Sequence, residues 1–263
     1  MADISEKSFI RPGKVILLIL LGLIVYVVAV VATIPAGWVW KQVSENVPLP
    51  DNVTVNSITG TVWSGAIGLT ALGKPISLDW HMGWINPFAL SVPLDLDIAI
   101  DNSRLEGSLA VSYPGDIRFN AQGNVNVSDW SDQIAASGGA MIEGNVTIET
   151  LGLTFENGRV TDGQGRATWP GGTVTWPQGL ETQSANFPPM EMTLVPEADR
   201  LVLEILEQNK PNPVAAANIY FDGMLEASAY YRLVVLAGQA LPGLGQPDDV
   251  VFRIRQPLMP GGF

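Results

Sequence analysis

The chain has 263 residues, of which 47% are hydrophobic and 15% charged, and its net charge is −12. A chain this apolar is not disordered, and one this acidic is poorly suited to bind nucleic acid or an anionic lipid surface through charge. It has no cysteine and a single histidine, which excludes disulfides, a cysteine nucleophile and a zinc site built from several such ligands.

The first predicted element is a membrane anchor. Residues 15–32 are apolar and uncharged, the run extends to Ile34, and about 20 apolar residues cross a bilayer core. Lys7, Arg11 and Lys14 precede this run, which predicts a cytoplasmic N-terminus and a periplasmic remainder. A cleaved signal peptide is the alternative, but its apolar region normally has only about 7–15 residues.

The sequence therefore predicts a cytoplasmic tail over residues 1–14, a transmembrane helix over 15–34, a linker over 35–52 and a periplasmic β-rich domain over 53–263. The side chains predicted to hold the anchor in the bilayer and at its interfaces are Lys14, Leu18, Leu21, Val28, Val31, Trp38 and Trp40.

After the anchor, the chain is predicted to form one short strand after another. Residues 53–59, 75–80 and 94–101 alternate apolar and polar side chains, which is typical of half-buried strands. Asn157-Gly158 predicts a tight hairpin, and Pro170-Gly171-Gly172 predicts a turn between two further strands.

Three later segments complete the prediction. Residues 128–136, which begin with polar side chains and end before two glycines, form the best helix candidate. Residues 201–207 fit either a strand or a helix, and residues 225–236 are expected to be a strand.

About a dozen closely spaced strands predict a mainly β fold with antiparallel hairpins. We expect a large, strongly curved β-sheet or a sandwich, with an AsmA-like groove as one form of it. A loose echo between residues 54–63, 121–130 and 162–177 suggests two similar halves that meet near residues 128–140. The alternation of apolar and polar residues does not show whether the sheet is closed, a sandwich or an open groove.

The sequence gives only weak indications of a catalytic or a metal site. Ser64, in the segment GTVWSGAIGLT (60–70), lacks the glycine spacing of a nucleophile elbow. Asp79 and His81 share one face of a strand, so a hydrolase using them stays a remote alternative. Asp95, Asp97 and Asp101 resemble a solvated strand face more than a calcium loop. We therefore expect no enzyme activity, no cofactor and no metal.

Tryptophans recur near strand ends, often beside glycine or proline. They predict either core aromatics or one face that docks a partner. The candidate interaction face consists of Trp63, Trp80, Trp84, Trp169 and Trp176.

Several of these features together resemble the protein N family of the type II secretion system. They are the short basic tail, the single anchor, GTVWSG (60–65) and NGRVTDGQGRATWPGGTVTWP (157–177). The resemblance implies a small inner-membrane accessory component of the machinery that exports folded proteins through an outer-membrane secretin. Members of this family have no assigned catalytic residues.

We therefore expect an inner-membrane protein that assembles or stabilises the secretion complex through periplasmic contacts. Its expected partners are the inner-membrane platform, the secretin, or both. The alternative is an AsmA-like envelope protein that binds or moves lipid along an apolar β groove, because the family is distantly similar to that group. Lipid binding and a homo-oligomer stay open.

Overall fold

A computed structural model describes residues 12–44, 52–83, 91–112, 115–138, 140–156, 159–179, 181–239 and 245–257. Its helices are α1 (Pro12–Ala32), α2 (Ala36–Val43), a 3-10 helix (Val127–Trp130), α3 (Ser131–Gly138) and α4 (Tyr231–Leu236). Its strands are β1 (Val53–Gly60), β2 (Ser64–Ala71), β3 (Lys74–Met82), β4 (Ser91–Ile100), β5 (Ser103–Ser112), β6 (Asp116–Asn126), β7 (Met141–Ile142), β8 (Asn145–Glu156), β9 (Arg159–Trp169), β10 (Gly172–Gln178), β11 (Glu181–Phe187), β12 (Met190–Pro196), β13 (Arg200–Glu207), β14 (Pro213–Tyr220), β15 (Met224–Tyr230) and β16 (Val250–Pro257).

Thirteen of these strands form one antiparallel sheet, in the order β1-β2-β3-β4-β5-β6-β8-β9-β12-β13-β14-β15-β16. This confirms the mainly β, antiparallel fold. The predicted strong curvature is wrong, because the sheet is not strongly curled and β1 and β16 lie at opposite ends of the strand order. Apolar alternation sets which face of a strand is buried, but it carries no information about curvature.

From β3 to β5, the sheet has one apolar face and one polar face. Leu78, Ile98 and Leu105 lie opposite one another on three neighbouring strands, and the next residue along each strand points to the other side. Asp79 and Asp97 therefore pair on the polar face. The prediction that residues 94–101 alternate between a buried and a solvated side is confirmed.

A second, smaller layer covers part of the apolar face. β7, β10 and β11 form a separate three-stranded sheet, and together with α4 they make what we call the cap. Trp169, Met190 and Val214 are buried beneath the cap, where they form the centre of the hydrophobic core.

At the cap, one prediction of local structure is confirmed and one is wrong. Residues 170 and 171 separate β9 from β10, as the turn predicted at Pro170-Gly171-Gly172 requires, but this turn does not return the chain along β9. Instead, Gly171 and Gly172, with φ of +88° and +155°, direct β10 into the small sheet. The strand predicted over residues 225–236 ends at Tyr230, and α4 follows because the chain turns there to pack on the core.

The helix predicted over residues 128–136 is confirmed, since residues 127–138 are helical. Residues 201–207, for which the sequence left a strand and a helix open, lie in β13. β8 and β9 pair as far as Glu156 and Arg159, as expected of a hairpin at Asn157-Gly158, although these two residues lie outside the described ranges. The proposed division near residues 128–140 stays a prediction; β6 and β8 pair directly across that segment.

The N-terminal segment forms α1 and then α2. Within the described residues, no helix has both the length and the hydropathy that a membrane crossing needs. The transmembrane helix over residues 15–34 stays a prediction.

A buried carboxylate joins the helical segment at residues 127–138 to the sheet. Asp129 accepts hydrogen bonds from Ser103 Oγ at 2.7 Å and from the backbone N–H and the Nδ2 of Asn102, both at 3.0 Å. Burial opposes ionisation of this carboxyl, but the hydrogen bonds and the positive charge of Lys74 outweigh it. The pKa of Asp129 is consequently lower than its ordinary value.

We expect Asp129→Asn to lower the free energy of unfolding by about 1–3 kcal/mol at pH 7, because three donors then face an amide instead of a carboxylate. The difference from wild type should shrink as the pH falls below about 4. A lowered folded pKa stabilises the fold above the unfolded pKa, and this stabilisation is lost as the folded carboxyl is protonated. Denaturant unfolding at pH 7 and pH 3 measures both effects.

Asp132→Asn is the matched control, since Asp132 is exposed on α3. It should change the unfolding free energy little at either pH. Identical pH profiles for wild type and Asp129→Asn would contradict the assigned role of this carboxylate.

Candidate functional site

The segment GTVWSG (60–65) attaches the sheet to the end of α1. Trp63 Nε1 donates a hydrogen bond to the carbonyl oxygen of Val31 at 2.9 Å, and the Val62 N–H donates to that of Ile34 at 3.1 Å. Thr61 also forms a β-bridge with Pro35. The last carbonyl groups of a helix have no partner within it, so this turn supplies partners that water or a side-chain cap would otherwise provide.

Trp80 supports the same turn from the apolar face. Its Nε1 donates to the carbonyl oxygen of Val62 at 3.2 Å, and its ring lies over Gly65. A Cβ at Gly65 would stand 2.6 Å from the Trp80 ring and 2.3 Å from the carbonyl oxygen of Thr59. Gly65 is therefore required by the close approach of the tryptophan. Ser64, between these residues, is an exposed strand residue.

The residues predicted to anchor the protein lie along α1 and α2. Leu18, Leu21, Val28 and Val31 are exposed apolar side chains on α1. Trp38 on α2 is 59% exposed, whereas Trp40 is half-buried. The side chain of Lys14 lies outside the described part of the structure.

A cavity of about 550 Å³ lies between the cap and the main sheet, and we call it the capped cavity. The sheet contributes Trp169, Met190, Met192, Ile205 and Val214, and the opposite wall is built by the cap. The lining residues from the cap and its flanks include Ile142, Val174, Trp176, Phe187, Leu233 and Ala237.

The capped cavity is almost entirely apolar. Gln239 is the polar side chain among the described lining residues, apart from the indole groups of the two tryptophans. Trp169 Nε1 already donates to the carbonyl oxygen of Glu143 at 2.9 Å. The described walls therefore carry no charged side chain, and the contacts they offer are almost entirely apolar.

The five tryptophans of the candidate interaction face do not lie together. Trp63 and Trp80 belong to the junction with α1, whereas Trp169 and Trp176 line the capped cavity. β3 and β9 are five strand positions apart, which corresponds to roughly 24 Å at about 4.8 Å per strand. Trp84 lies outside the described residues.

The polar face places Ser64, His81 and Asp95 opposite one another on three neighbouring strands. Sequence reasoning paired His81 with Asp79 instead, because strand register was unknown. All three side chains in this row are exposed, and among the described residues no hydrogen bond joins them. Catalytic triads are hydrogen-bonded and enclosed, so the row has the composition of a triad without its geometry.

Asp95 and Asp97 also line a shallow depression of about 520 Å³ on the polar face, with Glu106 and Glu149. Asp101 lies elsewhere, beyond the end of β4, where it forms an ion pair with Lys74 at 3.2 Å. Within the described ranges, no three His, Cys, Asp or Glu side chains are arranged to hold a metal ion.

Comparison with known protein families shows to which family the chain belongs. A family model described as type II secretion system (T2SS), protein N, matches residues 51–258. The chain belongs to the type II secretion system protein N family. Searches of curated proteins and of solved structures each gave no match.

Membership of the protein N family confirms the resemblance inferred from the two quoted motifs. Both motifs lie within the matched residues. It associates the chain with type II secretion and with the cell envelope. Most residues of the capped cavity were missed by sequence reasoning, because they come from nine elements and only the tertiary fold brings them together.

We expect Trp63→Phe to loosen the junction between α1 and the sheet, because phenylalanine keeps an aromatic ring but cannot donate to the Val31 carbonyl. Hydrogen–deuterium exchange of the full-length protein in detergent should become faster in residues 31–35 and 61–63. Trp176→Phe, in the distant cap, is the control and should leave exchange there unchanged. Unaltered exchange in Trp63→Phe would show that the indole hydrogen bond does not hold the junction.

Proposed function

We propose that this protein is an accessory inner-membrane component of the type II secretion machinery. It acts by protein–protein contact in the periplasm, where it assembles or stabilises the complex. The observation that carries the proposal is the protein N family match over residues 51–258. The partners proposed are the inner-membrane platform, the secretin, or both.

The proposed anchor is the segment over residues 15–34, with the N-terminus in the cytoplasm and the sheet in the periplasm. Its large apolar side chains from Leu18 to Val31 are between 41% and 67% exposed. Such a continuous apolar surface is unfavourable in water and favours a lipid environment. The contacts of Trp63 and Val62 with the end of α1 would then hold the sheet at the membrane surface.

The proposed contact surface is β16, at one edge of the main sheet. β16 pairs with β15 on one side, and its side chains from Phe252 to Pro257 are exposed. An exposed edge strand can accept another strand through main-chain hydrogen bonds. At the opposite edge α2 packs beside β1, where a Cβ on Gly37 would lie 3.8 Å from the Ile58 carbonyl oxygen. β16 is therefore the more accessible of the two edges.

The proposal involves no catalytic step. The row of Ser64, His81 and Asp95 lies open to solvent and is not hydrogen-bonded, which supports a structural role for it. Strand pairing and anchoring require no proton transfer, so His81 should be dispensable.

One observation favours a second candidate function, the binding of lipid on the sheet. From β2 to β5, apolar side chains such as Leu78, Trp80 and Leu96 are half-buried. The structure describes no second layer over them. A sandwich would bury such side chains between two sheets, whereas a lipid-handling groove would leave them accessible.

We expect proline at one of two adjacent positions in β16 to weaken assembly while the fold is retained. Consecutive backbone N–H groups of an edge strand point alternately toward the neighbouring strand and toward solvent. Of Arg253→Pro and Ile254→Pro, one should destabilise the β15–β16 pair, and the other should remove a donor facing outward. Thermal unfolding identifies which variant keeps its stability.

That stable variant should reduce recovery of secretion components, after cross-linking in intact envelopes, by about tenfold. Tenfold corresponds to about 1.4 kcal/mol, close to the net contribution of one main-chain hydrogen bond. His81→Gln is the control and should preserve both recovery and secretion. Normal recovery with the stable proline variant would argue against contact through β16, and loss of secretion in His81→Gln would argue for chemistry.

For the second candidate, we expect purified full-length protein to retain more phospholipid than an unrelated single-span protein. Leu96→Glu should lower that amount, because it places a charge on the half-buried apolar face. Ala99→Glu, on the polar face of the same strand, is the matched control and should retain it. Lipid mass spectrometry gives the stoichiometry; equal amounts in wild type and Leu96→Glu would count against lipid on this face.

A further inference from the structure

The capped cavity has the construction of a ligand site. It has two walls, one from the main sheet and one from the cap, and its volume is about 550 Å³. Ligand pockets generally measure about 300–1,000 Å³, whereas voids in ordinary cores are seldom much larger than a water molecule. This space opens toward the surface beside the buried core residues, and its size is that of a ligand pocket and not of a packing defect.

Water is a poor occupant of this space. A well-held water molecule makes two to four hydrogen bonds, and water entering this open pocket meets few polar partners. The described walls offer the side chain of Gln239, and the indole N–H of Trp169 is already bonded to Glu143. The favourable occupant is one that brings apolar surface of its own.

The chemistry of the walls also excludes several classes of ligand. An ion, a nucleotide or a sugar would lose its hydration without gaining charged or polar partners. A peptide strand would leave its backbone N–H and C=O groups unpaired for the same reason. A hydrocarbon chain makes no such demand, because it needs only apolar contact.

The side chains that line the cavity suit an elongated, flexible hydrocarbon. Met190 and Met192 on the sheet are unbranched and adaptable, and Trp176 and Phe187 on the cap provide flat apolar surface. Ala215 and Ala237 keep two positions of the wall small. A larger side chain at either alanine would occupy the space itself.

We propose that the capped cavity binds one unbranched alkyl chain, supplied either by a free fatty acid or by a phospholipid. This inference goes beyond the proposed assembly role and does not depend on it, since the site is distinct from the β16 edge. It shares a ligand class with the second candidate function but uses the covered part of the apolar face instead of the uncovered part.

Tryptophan quenching by brominated chains tests the proposal on the full-length protein in detergent. Trp169 and Trp176 are two of the eight tryptophans, so a bound brominated chain should quench about a quarter of the emission. One arm adds 9,10-dibromostearic acid, and the other adds phosphatidylcholine with dibrominated chains. Saturation near one chain per protein is expected in at least one arm.

The matched variants are Ala215→Phe and Ala216→Phe. Ala215 lines the cavity, and the next residue along β14 points to the polar face. Ala215→Phe should weaken the saturable quenching at least tenfold, whereas Ala216→Phe and Leu96→Glu should leave it intact. Trp176→Phe provides a second readout, since it keeps an aromatic wall but should remove the Trp176 share of the quenching.

Quenching by the fatty acid alone, by the phospholipid alone or by both identifies the source of the chain and supports the proposal. The absence of saturable quenching in both arms would overturn it. So would equal quenching in Ala215→Phe and Ala216→Phe, or, if Ala215→Phe does not fold, an unchanged quenched fraction in Trp176→Phe. Recovery of secretion components from the same Ala215→Phe cells reports separately on assembly.

Discussion

The structure depends on one constraint: the apolar face of a broad antiparallel sheet must be shielded from water. Alternating apolar and polar side chains on paired strands, as in β3 to β5, place the apolar residues on a single side of the thirteen-stranded sheet. The described cap, made of β7, β10, β11 and α4, covers this face only around β8 to β14. Burial of apolar surface stabilises the fold at about 25 cal/mol per Å². The core is therefore concentrated under the cap, and the remaining apolar surface is available for other contacts.

The alternation itself was predictable from sequence, because side-chain direction in a strand repeats every two residues. The strands at residues 53–59, 75–80 and 94–101 and the helical segment near residues 128–136 all follow from local patterns. Register was not predictable, since it depends on bulges such as the one between Ile148 and Thr150. For this reason the opposition of Ser64, His81 and Asp95 was missed. The departure of β10 into a second sheet was missed too, because a Pro-Gly-Gly turn fits a hairpin equally well.

The tryptophans illustrate how one sequence signal can have two structural causes. Trp63 and Trp80 donate indole hydrogen bonds to carbonyl groups at the junction with α1. Trp169 and Trp176 contribute apolar surface around the capped cavity, and Trp169 also donates to the carbonyl oxygen of Glu143. An amphipathic indole serves both purposes, since it combines a large apolar ring with one donor. Position near a strand end, which all four share, does not separate these roles. Only the cross-strand neighbours do so, and those follow from the register.

The capped cavity and the β16 edge are close along the chain, although they are different sites. α4 contributes Leu233 and Val234 to the cavity wall, Ala237 follows directly after it, and the helix lies between β15 and β16 along the chain. At its start, the N–H of Tyr231 donates to the carbonyl oxygen of Asp249, and that of Arg232 to Pro247. A change in the cavity that displaces α4 therefore acts on the segment leading into β16. Coupling of this kind requires that α4 adopt two arrangements with different affinities for ligand and partner. Without that difference in affinity, an alkyl chain bound in the cavity would stabilise the sheet and leave the β16 edge unchanged.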